Sequence, residues 1–583
     1  MSARALPEEI CQNEELMNSA RLLDASNNRL KRLPQAVGNL QGLQSIDVHN
    51  NAITALPATV GNLQLLSHLD VSKNELRSLP AAMGRASALT DVSASNNRLR
   101  SVPTKLPSAL ETIDLSRNAI RKLNRNVYRI PMRLNVSHNQ LTVLPPVSVK
   151  NPLIHFINAS HNRIDRLPAG LKHLCCLTSL NLSDNQLAEL PASLGQMRYL
   201  RQLDVSCNHL STLPDEMCYL NWSLEELRVA GNKLRQLPEQ FSRFRRLSVL
   251  DAFNNKLGQL PVDFDTIISL RVLNLSRNQL VDVESVTKLH SCEDMDLSDN
   301  QIPQLPDDFE LARCLVSLDV SGNQLTQLPG GLGYIRTLKH LRAANNHISE
   351  LPDTLGVGQL LVTLILTNNR LESMPSDLGR FRAVESLSVD GNRLSALPRT
   401  LDLLTELRHL NISRNQLTGL LLPQSVLSLD VSDNPLYSAH DDPKSSLLVT
   451  VGDAEHARCL SQLRLSSLNL DEIPPAVLSL RMLTSLDVSH NNIERLPHNL
   501  TRLTNLRVLN IAGNSRLNSL LGIGVLEHLD WLDASGNALS EFSEELTSLY
   551  CLQHLDLSNN NLHSLPDNFG ELRLCSFIIL INL

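Results

Sequence analysis

One pattern returns along this chain at a nearly fixed interval, and it constrains the fold more than any other feature. Residues 200–214, LRQLDVSCNHLSTLP, set it out: leucines and Val205 at regular slots, Asn208 at a turn, and a closing Leu-Pro. The asparagine recurs at Asn28, Asn51, Asn74 and Asn97, then after steps of 21 at Asn118 and Asn139, and again in steps of 23 at Asn162, Asn185 and Asn208. A 24-residue step leads to Asn232, Asn255 and Asn278, a 22-residue step to Asn300, and steps of 23 to Asn323, Asn346, Asn369, Asn392 and Asn415. A unit this short cannot bury its own leucines, so the copies must stack and bury them against one another.

Local chemistry sets the shape of each copy. Leu203 and Val205 alternate with Asp204 and Ser206, the two-residue period of a short strand with one buried face. Asn208 ends that strand, and its amide can pair with backbone groups of neighbouring turns that would otherwise be buried and unsatisfied. Most copies close with Leu-Pro, as at Leu33-Pro34, Leu56-Pro57, Leu260-Pro261 and Leu397-Pro398. Proline cannot donate to a strand ladder, so it ends pairing and starts an outer segment with room only for short helical or 3-10 turns. Strands about 4.8 Å apart on the inside and bulkier segments outside make such a stack curve. The expected fold is an α/β solenoid of about 24 repeats, a right-handed horseshoe with a concave parallel β-sheet and short helical or 3-10 convex segments.

The order along the chain follows from the same frame. Residues 1–19 read as a polar cap helix over the first repeat, and 20–436 as a first array. After Asn434 comes an irregular insert, 437–458, and the next strand carries Leu468 where the asparagine belongs. Residues 459–583 form a second array with Asn491, Asn514, Asn537 and Asn560, ending in FIILINL, whose Ile578 and Leu580 match the strand slots of an incomplete repeat. That end suggests either a makeshift cap or a truncated chain.

Composition narrows the function classes. Aromatic residues are only 3 % of the chain while leucine fills fixed slots, so the core is aliphatic. A net charge of −7 supplies no general attraction to phosphate backbones or anionic lipid, so neither nucleic acid nor membrane is an expected partner. The ten cysteines are scattered without C-x-x-C spacing, which favours reduced thiols, and no stretch is apolar enough for a signal peptide or membrane span. A cytoplasmic protein is implied.

The repeats, typified by LTSLDVSHNNIERLPHNLTRLTNLRVLN in residues 483–510, resemble the typical 23-residue class of leucine-rich repeat. They are similar to those of Ras-associated leucine-rich repeat scaffolds, of the leucine-rich repeat-containing protein 40 type, and of the PH-domain leucine-rich repeat protein phosphatases. The resemblance covers about residues 20–575. It implies a scaffold in intracellular signal transduction that binds proteins on its concave face, small GTPase or phosphatase signalling components among the possible partners. The alternative is the substrate-recognition region of a larger signalling enzyme, such as a protein phosphatase, whose catalytic domain is absent from this chain. An extracellular binder is disfavoured by the missing signal and disulfide-bonded caps.

Candidate contact residues come from the polar slot between the two strand leucines, which points to the concave face. Asp24, Asp47 and Asp70 open a column of carboxylates there, continued by Asp204, Asp251, Asp296, Asp319, Asp430, Asp487, Asp533 and Asp556. Either these carboxylates pair locally or they await a partner rich in Lys and Arg. Arg228, Arg342 and Ile365 occupy the same slot, with Phe253, His340 and Thr363 nearby, a mixture of the kind found at interface hot spots. His138, His161, Asp184 and Cys207 share the slot before the turn asparagine in four consecutive repeats, but ligands in a line about 5 Å apart do not surround one metal ion. Gly330, Gly331 and Gly333 follow a Leu-Pro on the convex side, which is no place for a phosphate loop. No nucleophile motif, metalloprotease signature or P-loop is present, so no enzyme, cofactor or metal centre is expected.

Overall fold

The computed structural model describes residues 5–148, 152–358, 360–419, 423–436, 459–565, 572 and 575–581. The irregular insert expected at 437–458 lies outside them. The chain forms two compact units, Met1–Cys292 and Glu293–Leu583.

Among the described residues of the first unit, twelve three-residue strands, from Leu22–Asp24 to Val272–Asn274, lie parallel with equivalent slots in register. Leu203, for example, sits between Leu180 and Leu227. The register follows from the constant period: a one-residue slip would turn every leucine out of the core. Leu180, Leu203, Leu227 and Leu250 are at most 1 % exposed, and each buried leucine contributes roughly 1.5–3 kcal/mol. The second unit repeats the plan with thirteen strands among its described residues, from Asp294–Asp296 to Phe577–Ile579. There Ser428–Asp430 pairs directly with Gln462–Arg464, so the ladder continues across the insert. The final Ile578 aligns with Leu555.

The outer layer is almost entirely single 3-10 turns that begin after the Leu-Pro, as at Ala192–Gln196 behind Pro191 and Asp215–Leu220 behind Pro214. Proline at φ −71° and −68° there sets the entry and removes an N–H that would have no acceptor. Successive turns pack so closely that a Cβ on Gly195 would collide with the Glu216 carbonyl oxygen. At the N-terminus the single helix expected over 1–19 is divided in two, a 3-10 turn Glu8–Gln12 and a helix Glu14–Ser19. Asn13 breaks them apart because its side chain accepts from the N–H groups of Glu15 and Leu16 at 3.0 and 3.2 Å, capping the second segment.

Turn asparagines lock the layers. Asn208 donates its Nδ2 to the carbonyls of Leu182, Val205 and Ser206, each at 3.0 Å, and its Oδ1 accepts from the Leu187 N–H at 2.9 Å. Where Leu468 replaces the asparagine, Asn491 of the next turn accepts from both Leu468 and Leu470.

Sequence reasoning missed one backbone rule. Among the described residues the position before the turn asparagine, or before Leu468 in its place, is left-handed in all 24 repeats, from Asn27 at φ 55° to Asn559 at φ 55°. The signal was there to read: Gly231, Gly322, Gly391, Gly513 and Gly536 fill this slot, and most other occupants are Asn, Asp or His, which tolerate the conformation.

A buried carboxylate in the second unit yields a pH prediction. The Asp390 side chain, 6 % exposed, accepts from Thr367 Oγ1, Ser388 Oγ and Arg414 Nη2, all at 2.7 Å. Burial alone would raise its pKa, but these hydrogen bonds and the Arg414 charge outweigh it and hold the carboxyl below the usual carboxylate range. A depressed folded pKa adds stability that is present above the unfolded value near 3.9 and is lost as pH falls through the folded value. Asp390→Asn is therefore expected to cost about 2 kcal/mol at pH 7 and progressively less under acid. Amide exchange around Asp390 in both chains, followed from pH 7 to pH 3, should show the two local stabilities converging; a constant gap would refute the assignment.

Candidate interaction face of the strands

The face of each strand ladder opposite the leucines carries the variable side chains. In the first unit Asp24, Asp47 and Asp70 align on neighbouring strands, as expected for a column. Each has a local partner: Oδ1 accepts the backbone N–H two residues on, from Ser26 at 2.9 Å, His49 at 3.0 Å and Ser72 at 2.8 Å. The Ser26 bonds, backbone first and hydroxyl second, hold the Asp24 carboxyl below its ordinary value. This explains why Asp or Asn recurs in the slot, since Asn181 accepts from the Ser183 N–H at 2.9 Å in the same way.

Arg228 is exposed at the end of its strand between Asp204 and Asp251, and it pairs with Glu226 on its own strand. Phe253 is half-buried, its N–H donating to Asp251 Oδ1 at 3.1 Å and its ring lying 5.4 Å from the Arg277 guanidinium. In the second unit Arg342 and Ile365 are half-buried neighbours on adjacent strands, with Asp319 beyond Arg342. His340 Nδ1 lies 3.2 Å from Thr363 Oγ1 beside them. The expected contact residues therefore fall in two groups: Arg228 and Phe253 in the first unit, Arg342 and Ile365 in the second.

The row of His138, His161, Asp184 and Cys207 is a line of consecutive contacts. The two imidazoles stack at 4.0 Å, and His161 Nε2 lies 3.5 Å from Asp184 Oδ2. Desolvation, then the His161 and Arg117 charges, lowers the His138 pKa, which favours the neutral ring. Desolvation and the Asp184 and Asp204 carboxylates push the Cys207 thiol up, the opposite of what a nucleophile needs.

Two groupings escaped the sequence reading. Asp47, His49 and Asp70 offer ligand atoms within 4.8 Å of one another, although His49 Nδ1 is already 2.8 Å from Asp47 Oδ1. Trp531, His554 and Phe577 form a column of rings on three successive strands, with centroids 5.2 and 6.2 Å apart. The cue for the rings was their common slot just before the first core residue, at 23-residue spacing.

Models described as leucine-rich repeats match residues 198–257, 268–325 and 359–417, with further matches at 176–197, 551–572 and 479–494. No curated protein matches the chain. Among solved structures, a leucine-rich repeat protein of Leptospira interrogans is 27 % identical, covering 70 % of this chain and 99 % of its own, with a TM-score of 0.58. YopM of Yersinia enterocolitica is 26 % identical, covering 80 % of this chain and 89 % of its own at a TM-score of 0.51. A plant peptide hormone receptor, RGFR1 in complex with RGF2, shares the fold at 23 % identity and a TM-score of 0.60, covering 98 % of this chain and 87 % of its own. Strand register, asparagine ladder and repeat matches agree: the chain is built of leucine-rich repeats and folds as a leucine-rich repeat solenoid.

Proposed function

We propose that this chain is an interaction scaffold of intracellular signalling that binds partner proteins on its strand face. The observation that carries the reading is the division of labour within each repeat. Leucines, asparagine and proline are spent on the frame, while the slots around Asp204, Arg228 and Asp251 on the strand face change from one repeat to the next. A rigid ladder presents those side chains with little left to order on binding. Among the described residues no disulfide joins the cysteines, which supports a reducing compartment, and no helix is long and apolar enough to cross a membrane.

A photo-crosslinking amino acid placed at Phe253 or Arg342 is expected to capture protein partners in cell extract. The same group at Tyr219 or Tyr334, exposed on the outer turns, should capture at least several-fold less. In a chain carrying Arg228→Glu, Phe253→Ala and Arg342→Glu, with unchanged circular dichroism, those partners should be lost. Equal capture from face and outer turns would overturn the reading.

A further inference from the structure

The strands Trp531–Asp533 and His554–Asp556 bring two kinds of side chain to one face. Trp531 and His554 stack within 8° of parallel, and Phe577, 66 % exposed, extends the ring column. Two residues along, Asp533 and Asp556 stand in register on neighbouring strands, about 4.8 Å apart at the backbone. Each uses one oxygen on a local bond, from the Ser535 and Ser558 N–H groups at 2.9 Å. Among the described residues neither carboxylate has a basic partner, and Arg507, just before the strand Val508–Asn510, faces Asp530 at 3.5 Å.

Elsewhere the chain fills comparable places with its own arginines. Arg464 reaches across to Asp430 at 3.5 Å, and Arg133 lies 4.4 Å over the Phe156 ring. At Asp533 and Asp556 the same kind of surface is open.

We propose that this surface takes an arginine side chain from a partner protein. Its guanidinium bridges the free oxygens of Asp533 and Asp556, and its methylene stem lies along the edges of Trp531 and His554. A planar fork of donors suits two carboxylates at this spacing, whereas an ammonium offers a point charge. Long basic side chains bury their stems on apolar surface while the head stays with its counter-charge. The proposal rests on the reading of the strand face as a protein-binding surface and names the chemistry of one contact.

The test uses the full chain with Trp222→Phe, which leaves Trp531 as the only tryptophan. It is titrated at pH 8 with a blocked nonapeptide alternating arginine and serine, and with its lysine and citrulline counterparts. The arginine peptide should change Trp531 emission and bind at least threefold tighter than the lysine peptide, with no binding by citrulline. Asp533→Asn with Asp556→Asn should weaken binding about tenfold, the sum of two exposed ion pairs. The fold is kept in that variant because asparagine makes the same local turn at Asn135 and Asn510. Asp308→Asn with Asp402→Asn, both exposed on outer turns, should leave binding unchanged. Undiminished binding by the Asp533/Asp556 variant, equal loss in both double variants, or equal affinity for lysine would each overturn the proposal. None of these outcomes touches the broader reading, which stands or falls on the crosslinking at Phe253 and Arg342.

Discussion

Asn208→Ala is expected to destabilise the N-terminal unit by roughly 3–5 kcal/mol, more than removal of one ordinary hydrogen bond. Asn208 is 4 % exposed, and its side chain serves four backbone groups in two successive repeats. Alanine leaves the buried Leu187 N–H and Leu182 carbonyl without that partner, each at a desolvation cost of about 1–3 kcal/mol. Asn208→Asp should cost at least as much, because it keeps the acceptor for Leu187 but sets a buried carboxylate oxygen against the three carbonyls that the amide group faced. A long repeat array does not unfold as one two-state unit, so amide exchange is the right readout, with Leu187 and its neighbours losing protection first. A change under about 1 kcal/mol would show that the asparagine ladder is replaceable.

Phe241→Ala should have an effect of similar size, roughly 3–5 kcal/mol, by a different route. The outer layer of most repeats is aliphatic, but here Phe241, 1 % exposed, meets Phe244 edge-on at 5.0 Å and Phe264 in near-parallel stacking at 6.2 Å. Truncation opens a cavity that the strand frame cannot close by collapsing, because the strands are held in register by their own ladder. Phe241→Leu introduces the residue found in the equivalent turn at Leu194 and should cost less than about 1.5 kcal/mol. The expected signature is early exchange in the turns Glu239–Arg243 and Phe264–Thr266 with the strands still protected. Loss of the whole unit's protection at once would mean that the outer layer and the ladder fold as one.

Legibility differed by level. The strand slots, the 3-10 turns after Leu-Pro and the donor role of the turn asparagine follow from patterns a few residues long, and Leu203, Pro214 and Asn208 stand where those patterns place them. The left-handed row was equally local and was overlooked because its most frequent occupants, Asn and Gly, also mark ordinary turns. Asp24, Asp47 and Asp70 share a slot and align on neighbouring strands, yet the local N–H bonds to them depend on the bend after each strand, which no single residue announces.

The sequence by itself determined the repeat frame, because strand period, proline and turn chemistry act over distances shorter than one repeat. Only the tertiary structure decided which face residues satisfy each other: that Arg228 turns to Glu226 while Arg464 reaches to Asp430, that Asp390 is buried by Thr367 and Arg414, and that Asp533 and Asp556 have no basic partner among the described residues. Residues 23 or 34 apart in the chain become neighbours about 4.8 Å apart, and at that distance side-chain reach and charge settle the outcome, neither of which local sequence records.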